Sequence, residues 1–341
     1  MSYLLINGEN VSLNMTIGIK DVARIAGVSP SSVSRALGNG PISDKVREHV
    51  LRVVKETGYR PNMAARRLRS NRTKTIGLIV ADLGNPFFTA ITQAVESAAY
   101  QAGMRVMFCN TGEDPVREEM YLKFMQEERV SGLILAPTTH GLKSLSKWSF
   151  DFPVVLIDRA REKEKFDVIV LDNQTAAKEL VFHLHSQGYQ SIGGLFGATS
   201  ITGEERKNGY IDAMQTLNLE PDIRSVPATA NAAQKELEAW FTKANRPEAV
   251  ILSNSLFTRS ALMAARATAL RIPHDIAIAG FDDEPWSSLV DPGITVIRQP
   301  VEMMGKEAVT ALIQRLETPD APVRRLVLSG ECVIRASSKK L

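Results

Sequence analysis

The sequence predicts an N-terminal all-α helix-turn-helix head followed by an α/β body of two doubly wound, parallel-sheet lobes. Three observations lead there. A chain of 341 residues has room for two or three domains with cores of their own. Basic charge gathers near the start, with 13 Lys+Arg against 4 Asp+Glu over residues 16–74, whereas the 267 residues from Thr75 onward carry 28 against 33. From Thr75, short β-branched runs alternate with helical patterns, the signature of βαβ units and parallel sheets.

Composition narrows the class further. Apolar residues make up 44% and charged residues 23%, near the averages for globular proteins, so disorder and coiled-coil bias are disfavoured. Two cysteines, Cys109 and Cys332, are too few for a disulfide scaffold or a cysteine zinc cage, and a reducing, cytoplasmic setting is expected. No apolar run approaches the roughly 18 residues of a membrane span, and the opening MSYLLINGENVSLN lacks the basic flank and cleavage site of a signal peptide. Residues 1–15 show no clear period and are expected to be an unstructured extension, with Met15 as an alternative start.

The head is expected over residues 16–60. In IGIKDVARIAGVSPSSVSRAL the apolar positions Ile19, Val22, Ala23 and Ile25 have helical spacing, Gly27 suits a left-handed turn, and Ser29 caps a second helix. Pro30, Ser31, Ser34 and Arg35 then face outward. Short polar residues at a helix start followed by an arginine suit entry into a DNA major groove, although an ordinary helical hairpin with a solvated face has the same spacing. A third helix from Ser43 to Gly58 buries Val46, Val50, Val53 and Val54 and completes a small core. Residues 61–74 carry Arg66, Arg67, Arg69 and Arg72 on a segment too short to be a stable isolated helix, and are read as a hinge and linker that fold on DNA.

The body is expected over residues 75–341, with strands in TIGLIVA, RVMFCN, GLILA, VVLID, DVIVL, SIGGLF, EAVILS, IAIAGF and TVIRQ. So many strands need two sheets, and ligands in such folds gather at the carboxyl ends of the strands. Strand ends place Asp82, Asn85, Phe87 and Phe88, then Asp158 and Arg159, then Asn254, then Asp282, Asp283 and Trp286 toward a cleft, with Arg206 at a helix start. Aromatic faces, carboxylates, an amide and arginines together suit a sugar ring and its hydroxyls. Each also has a structural reading: Phe87 and Phe88 as core, Asp282 as a cap, and Arg159 paired with Asp158 or Glu162.

Three segments, GIKDVARIAGVSPSSVSRALG, TGYRPNMAARRLRS and TIGLIVADLGNPFF, together resemble the LacI/GalR (lactose repressor and galactose repressor) family of bacterial transcription regulators, in the family's order and spacing. The resemblance extends over residues 17 to about 335. It implies a periplasmic-binding-protein-like body in which the chain crosses between lobes, here expected near 161–168, 295–298 and 324–330. The N-lobe would then hold about 75–162 and 297–325, and the C-lobe about 165–295 and 328–336. It implies base contact by Pro30 and Ser31 with Arg35 beside them, and a hinge helix that wedges Leu68 into the minor groove near Asn62 and Ala65. Gly18 departs from the family, which has a hydroxyl residue there for a phosphate contact; Thr16 is the substitute in reach. It also implies effector contact by Phe87, Arg206, Asn254 and Asp282.

The expected function is therefore a sequence-specific DNA-binding regulator, a repressor of carbohydrate-use genes, whose operator affinity follows a small molecule in the cleft. It is not expected to be an enzyme. Two arginines, Arg159 and Arg206, in one cleft point to an anionic effector, a sugar acid or sugar phosphate. The partner DNA would be a near-palindrome read by a homodimer that uses helices such as residues 86–103; a homotetramer is left open, and no heptad after Arg335 supports a zipper. No cofactor or metal is expected. His183 and His185 point to different sides of a helix, and neither a phosphate loop nor a nucleophile elbow occurs. Two other readings stand beside this one: a sugar-binding module without a DNA role, which leaves the basic head unexplained, and a two-lobed sugar enzyme, which lacks a catalytic motif.

Overall fold

A computed structural model describes residues 3–6, 9–12, 17–38, 40–59, 73–227 and 229–340. The chain divides into two compact units, Met1–Asn71 and Arg72–Leu341. In the first, the opening residues expected to be unstructured hold an antiparallel hairpin, β1 (Tyr3–Ile6) with β2 (Glu9–Ser12), in which Leu4 pairs with Val11. Tyr3–Ile6 is a run of aromatic and aliphatic residues suited to a strand, a preference that helical period does not register.

Three helices follow, α1 (Ile19–Ile25), α2 (Pro30–Leu37) and α3 (Asp44–Thr57). Their core is Val22, Ala23, Ala26, Val33, Ala36, Val50 and Val53, all buried. Gly27 sits at φ +61°, the left-handed geometry that turns α1 into α2. The Ser29 hydroxyl accepts the Ser32 N–H at 3.1 Å and so caps α2, while Ser43 occupies the cap position of α3 without a side-chain hydrogen bond. Arg47 on α3 donates to the Ala36 and Gly40 carbonyls, 2.8 Å each, and fixes the end of α2.

The second unit has two six-stranded sheets. The N-lobe sheet is built from β3 (Thr75–Val80), β4 (Arg105–Asn110), β5 (Gly132–Leu135), β6 (Val154–Ile157), β7 (Asp167–Leu171) and β13 (Arg325–Leu328), in the order β13-β7-β6-β5-β3-β4 and parallel throughout. Alternation decides the faces. Ile76, Leu78 and Val80 point to α4 (Pro86–Gln101) and α11 (Val301–Glu317), and Ile79 points to the side that α5 (Pro115–Glu127) and the short α6 (Thr139–Ser144) cover.

The C-lobe sheet contains β8 (Ile192–Gly197), β9 (Asp222–Val226), β10 (Ala249–Leu252), β11 (Ala277–Phe281), β12 (Thr295–Arg298) and β14 (Glu331–Val333), ordered β14-β12-β11-β10-β8-β9 with only β14 antiparallel. Helices α7 (Asn173–Ser186) and α8 (Ile201–Thr216) cover one face, and α9 (Ala230–Phe241) with α10 (Ser255–Ala267) the other. Gly209 lets α7 and α8 touch, since a Cβ there would lie 2.2 Å from the Gln174 carbonyl oxygen.

Two lobe crossings differ from expectation. Residues 161–168 do not leave the N-lobe: β7 pairs with β6 and β13, and the chain crosses only after Leu171. Val168, Ile169 and Val170 pack into the N-lobe core, and the strand start is tied there by contacts distant in sequence: Arg315 of α11 grips the buried Asp167 carboxylate at 2.9 Å and Arg324 N–H donates to it at 2.8 Å. Likewise β12 stays in the C-lobe beside β11, moving the second crossing to Gln299-Pro300. The third lies between Leu328 and Glu331. No described helix is long and apolar enough to span a membrane.

Candidate functional site

In the head, the exposed face of α2 carries Pro30, Ser31, Ser34 and Arg35, while Val33 and Ala36 turn inward. A helix start with hydroxyls on its first turn and an arginine one turn later presents short donors, acceptors and a longer cationic fork in one direction. Ser31 Oγ lies 2.7 Å from the capping Ser29 Oγ, and Arg35 is exposed. At the α1 start, Gly18 offers no side chain; instead its N–H donates to the Asp21 carboxylate at 3.0 Å. Thr16, Asn62, Ala65 and Leu68 lie outside the described residues.

In the body, strand ends from both lobes converge on one cleft. Asp82, Asn85, Phe87, Phe88, Glu113, Asp158 and Arg159 line it from the N-lobe, and Arg206, Ser253, Asn254, Leu256 and Asp282 from the C-lobe, with Gln299 at the second crossing. Two of the carboxylates occupy matching places. Asp158 directly follows β6 at φ +69° and Asp282 directly follows β11 at φ +74°, left-handed conformations that aspartate tolerates better than most residues.

Local capping explains several of these positions. Asn85 and Asn254 cap α4 and α10, accepting the Phe87 and Phe257 N–H groups at 3.1 and 2.8 Å, so each has its Nδ2 left to donate elsewhere. Asp282 accepts Ser255 N–H at 3.0 Å and Gln299 Nε2 at 2.6 Å. Phe87 and Phe88 are both cleft wall and core, packed edge to face at 5.1 Å. The expectation that strand ends gather there holds for Phe87, Asp158, Arg159, Arg206, Asn254 and Asp282 as a statement of position.

Arg206 is buried, and its cationic plane lies 4.0 Å from the Phe281 ring centre. Its Nε donates to Asn173 Oδ1 at 2.7 Å and its Nη1 to the Ser253 carbonyl, with no carboxylate within ion-pairing distance among the described residues. Burial lowers its pKa, opposed by the charges of Asp282 and Asp158. Burial pushes the Asp158 carboxyl up, opposed by the Arg159 and Arg206 charges.

Arg159 behaves differently from the expectation of a cation free for ligand. Its Nη1 and Nη2 grip Glu113 in a two-toothed pair at 3.0 and 2.7 Å, and Asp158 lies 3.3 Å from its Nε. Planar fork meets planar carboxylate, the strongest geometry available to either group. Trp286 departs as well: it sits on a turn of 3-10 helix, Pro285–Ser288, and packs onto the C-lobe core outside the cleft. Sequence reasoning missed Glu113, Ser253 and Gln299. The last two are the final residues of the runs EAVILS and TVIRQ, one place beyond β10 and β12, so the strand-end rule reaches them when applied to every strand. Glu113 lies beyond RVMFCN in a left-handed turn, φ +60°, with no local signal of its partner 46 residues away.

Among the described residues no cluster of three metal-ligating side chains occurs, and His183 Nε2 is 2.7 Å from Ser338 Oγ. Both cysteines are free thiols, Cys109 buried and Cys332 partly so; burial raises the pKa of each, that of Cys332 to about 11.

Comparison with known proteins agrees with both halves. Residues 18–62 match the model of the bacterial regulatory proteins of the lacI family, and residues 181–338 that of a periplasmic binding protein-like domain. The HTH-type transcriptional regulator DegA of Bacillus subtilis is 30% identical, covering 96% of this chain and 99% of its own. The HTH-type transcriptional regulator KdgR of the same organism is 33% identical, over 94% and 97%. Among solved structures, the lac repressor dimer bound to operator and the anti-inducer ONPF shares the fold, with a TM-score of 0.87 at 24% identity over 96% of this chain and 100% of its own. A complex of the transcriptional regulator CelR with cellobiose has a TM-score of 0.72 at 25% identity, covering 94% and 99%. With relatives of this identity over nearly its whole length, a helix-turn-helix head and a two-lobed body, the chain belongs to the LacI family of bacterial DNA-binding transcriptional regulators.

Proposed function

We propose that a small, hydroxyl-rich carbohydrate bound between the lobes sets the affinity of this regulator for operator DNA. The observation that carries the reading is a set of polar atoms left without partners in the cleft. Among the described residues Ser253 Oγ and Gln299 Oε1 are buried without a hydrogen-bond partner, and Arg206 has no ion pair. Buried polar groups without partners are costly, so a ligand that supplies both donors and acceptors there gains more than contact area. Asp158 and Asp282, one from each lobe, would accept sugar hydroxyls, with Arg206 and the Asn254 amide donating and Phe87 against the ring.

The charge balance favours a neutral sugar over the acid or phosphate expected from two arginines. Arg159 is committed to Glu113, which leaves Arg206 facing a wall that also holds Asp82, Asp158 and Asp282. Pro30, Ser31, Ser34 and Arg35 would meet the major groove, and Thr16, Asn62, Ala65 and Leu68 the adjoining backbone and minor groove, in a homodimer on a near-palindromic site. If sugar and operator prefer different lobe arrangements, each changes the other's affinity by the same factor.

A thermal-shift panel of neutral sugars, sugar acids and sugar phosphates tests the reading. At 100 times its dissociation constant a ligand stabilises by about 2.7 kcal/mol. A shift with a neutral sugar that Arg206→Ala abolishes supports it; shifts confined to acids and phosphates contradict the neutral-sugar assignment, and a shift untouched by Arg206→Ala contradicts the site.

A further inference from the structure

We propose that Asn173 and Glu205 are positioning residues for Arg206, forming a relay that joins the first lobe crossing to the cation of the cleft. The proposal rests on the reading of Arg206 as an effector contact. Asn173 is the first residue of α7, two places beyond the end of β7, and is 2% exposed. Its Oδ1 accepts from Arg206 Nε at 2.7 Å, and its Nδ2 donates to Glu205 Oε2, also at 2.7 Å.

The chemistry of an amide makes this arrangement directional. Asn can present either an acceptor or a donor to its neighbour, and a donor facing the Arg206 Nε–H would repel it. Glu205 removes the ambiguity, because an ionised carboxylate only accepts and therefore takes the Nδ2 end. The Leu171 carbonyl, 3.4 Å from the same Nδ2, is a longer second acceptor on that side. Nε is held by Asn173, one Nη1 hydrogen by the Ser253 carbonyl and the plane lies against Phe281, so among the described residues the second Nη1 hydrogen and both Nη2 hydrogens remain for a ligand.

Glu205 also stands at a seam between the lobes. It lines a groove with Ile201 of its own helix and with Thr139, Leu142, Ala160 and Arg161 of the N-lobe. Across that seam Thr139 Oγ1 donates to the Thr199 carbonyl at 2.5 Å. A movement of the lobes at this seam changes the surroundings of the Glu205 carboxylate that holds Asn173. The orientation of Arg206, and so the affinity for sugar, is thereby linked to lobe closure.

Two measurements on the full chain test the relay. In the ligand-free protein labelled with 15N-arginine, hydrogen exchange of the Arg206 Nε–H, assigned by its loss in Arg206→Lys, is expected to speed up about tenfold or more in Asn173→Ala and Glu205→Ala, as befits loss of a hydrogen bond to a charged group. In calorimetry with D-ribose, D-glucose, D-gluconate and D-glucose 6-phosphate, the same two variants should weaken by about tenfold whichever of these binds the wild type. Glu205→Gln keeps an acceptor for Nδ2 but is no longer acceptor-only, and is expected to fall between wild type and Glu205→Ala in both; Glu204→Ala, whose carboxylate pairs with Lys207, is expected within about twofold of wild type. Unchanged Nε–H exchange in Glu205→Ala, or Glu205→Gln as impaired as Glu205→Ala, overturns the relay, and the exchange arm decides even where no sugar of the panel binds. Sugar binding lost in Arg206→Ala but intact in Asn173→Ala and Glu205→Ala sinks the relay alone, while binding intact in Arg206→Ala sinks the parent reading.

Discussion

Replacing Asp282 separates its structural duty from its role toward a ligand. The carboxylate accepts the buried Ser255 N–H at the start of α10 and the Gln299 amide, at 3.0 and 2.6 Å. Asp282→Ala strands both donors, and at about 1–3 kcal/mol for each unsatisfied buried group the loss is about 4 kcal/mol, a fall in melting temperature of about 10 °C for a body of this size. Asp282→Asn is different. Asparagine tolerates the left-handed backbone at φ +74°, its Oδ1 can accept from Ser255, and its Nδ2 can donate to Gln299 Oε1, which has no partner, once that amide turns over. The cost should stay below about 1 kcal/mol, while the sugar loses an ionised acceptor worth about tenfold or more in affinity. Urea unfolding read against calorimetry with the sugar identified in the panel measures both quantities. An Asp282→Asn protein as unstable as Asp282→Ala refutes the hydrogen-bond account, and one with undiminished sugar affinity returns Asp282 to a purely structural role.

Three further outcomes are expected. Gly27→Ala should cost the head about 1 kcal/mol through its positive φ alone, since an added Cβ meets nothing within 4 Å, with Gly27→Asn costing less; circular dichroism melts of the chain read this. Gly209→Ala should destabilise the C-lobe by about 3 kcal/mol, because the new Cβ meets the Gln174 backbone rather than a side chain that can yield, and a fall in urea midpoint at constant slope checks it. Asp283 is pushed up by burial, yet hydrogen bonds from Ser287, Arg298 and Arg335 outweigh this and hold its pKa below the usual carboxylate range. A depressed folded pKa gives stability that is complete above the unfolded value of about 4 and is lost as pH falls through the folded one. Asp283→Asn should therefore be about 2–3 kcal/mol less stable than wild type at pH 7, with the gap narrowing progressively below about pH 4; a gap independent of pH contradicts the charge network.

Much of the fold was legible because local pattern decides it. Gly27 and Ser29 mark the turn and cap of the head, and the alternation of Ile76, Leu78 and Val80 against Ile79 sets the faces of a strand buried on both sides. Pairing is not local. DVIVL reads as a strand in either lobe, and in the N-lobe it meets partners far along the chain, β13 beside it and Arg315, 148 residues from Asp167. The same limit governs the cleft: the strand-end rule places Asp158, Asn254 and Asp282, but whether Arg159 is free depends on Glu113, and whether Trp286 reaches the cleft depends on which side of a short turn it leaves. Charge arithmetic over the linear sequence counted arginines without their partners, and the preference for an anionic effector came from that count.

A sugar in the cleft is proposed to control DNA affinity. The most direct measurement is fluorescence anisotropy of the full chain on a near-palindromic duplex that it selects from random DNA, at about 50 and about 200 mM salt, with and without the sugar found in the panel. Affinity should fall by about a thousandfold or more between the two salt concentrations, and the sugar should change it by about 5- to 150-fold in the wild type but not in Arg206→Ala. Duplex binding that ignores salt, or a sugar effect that survives in Arg206→Ala, contradicts it.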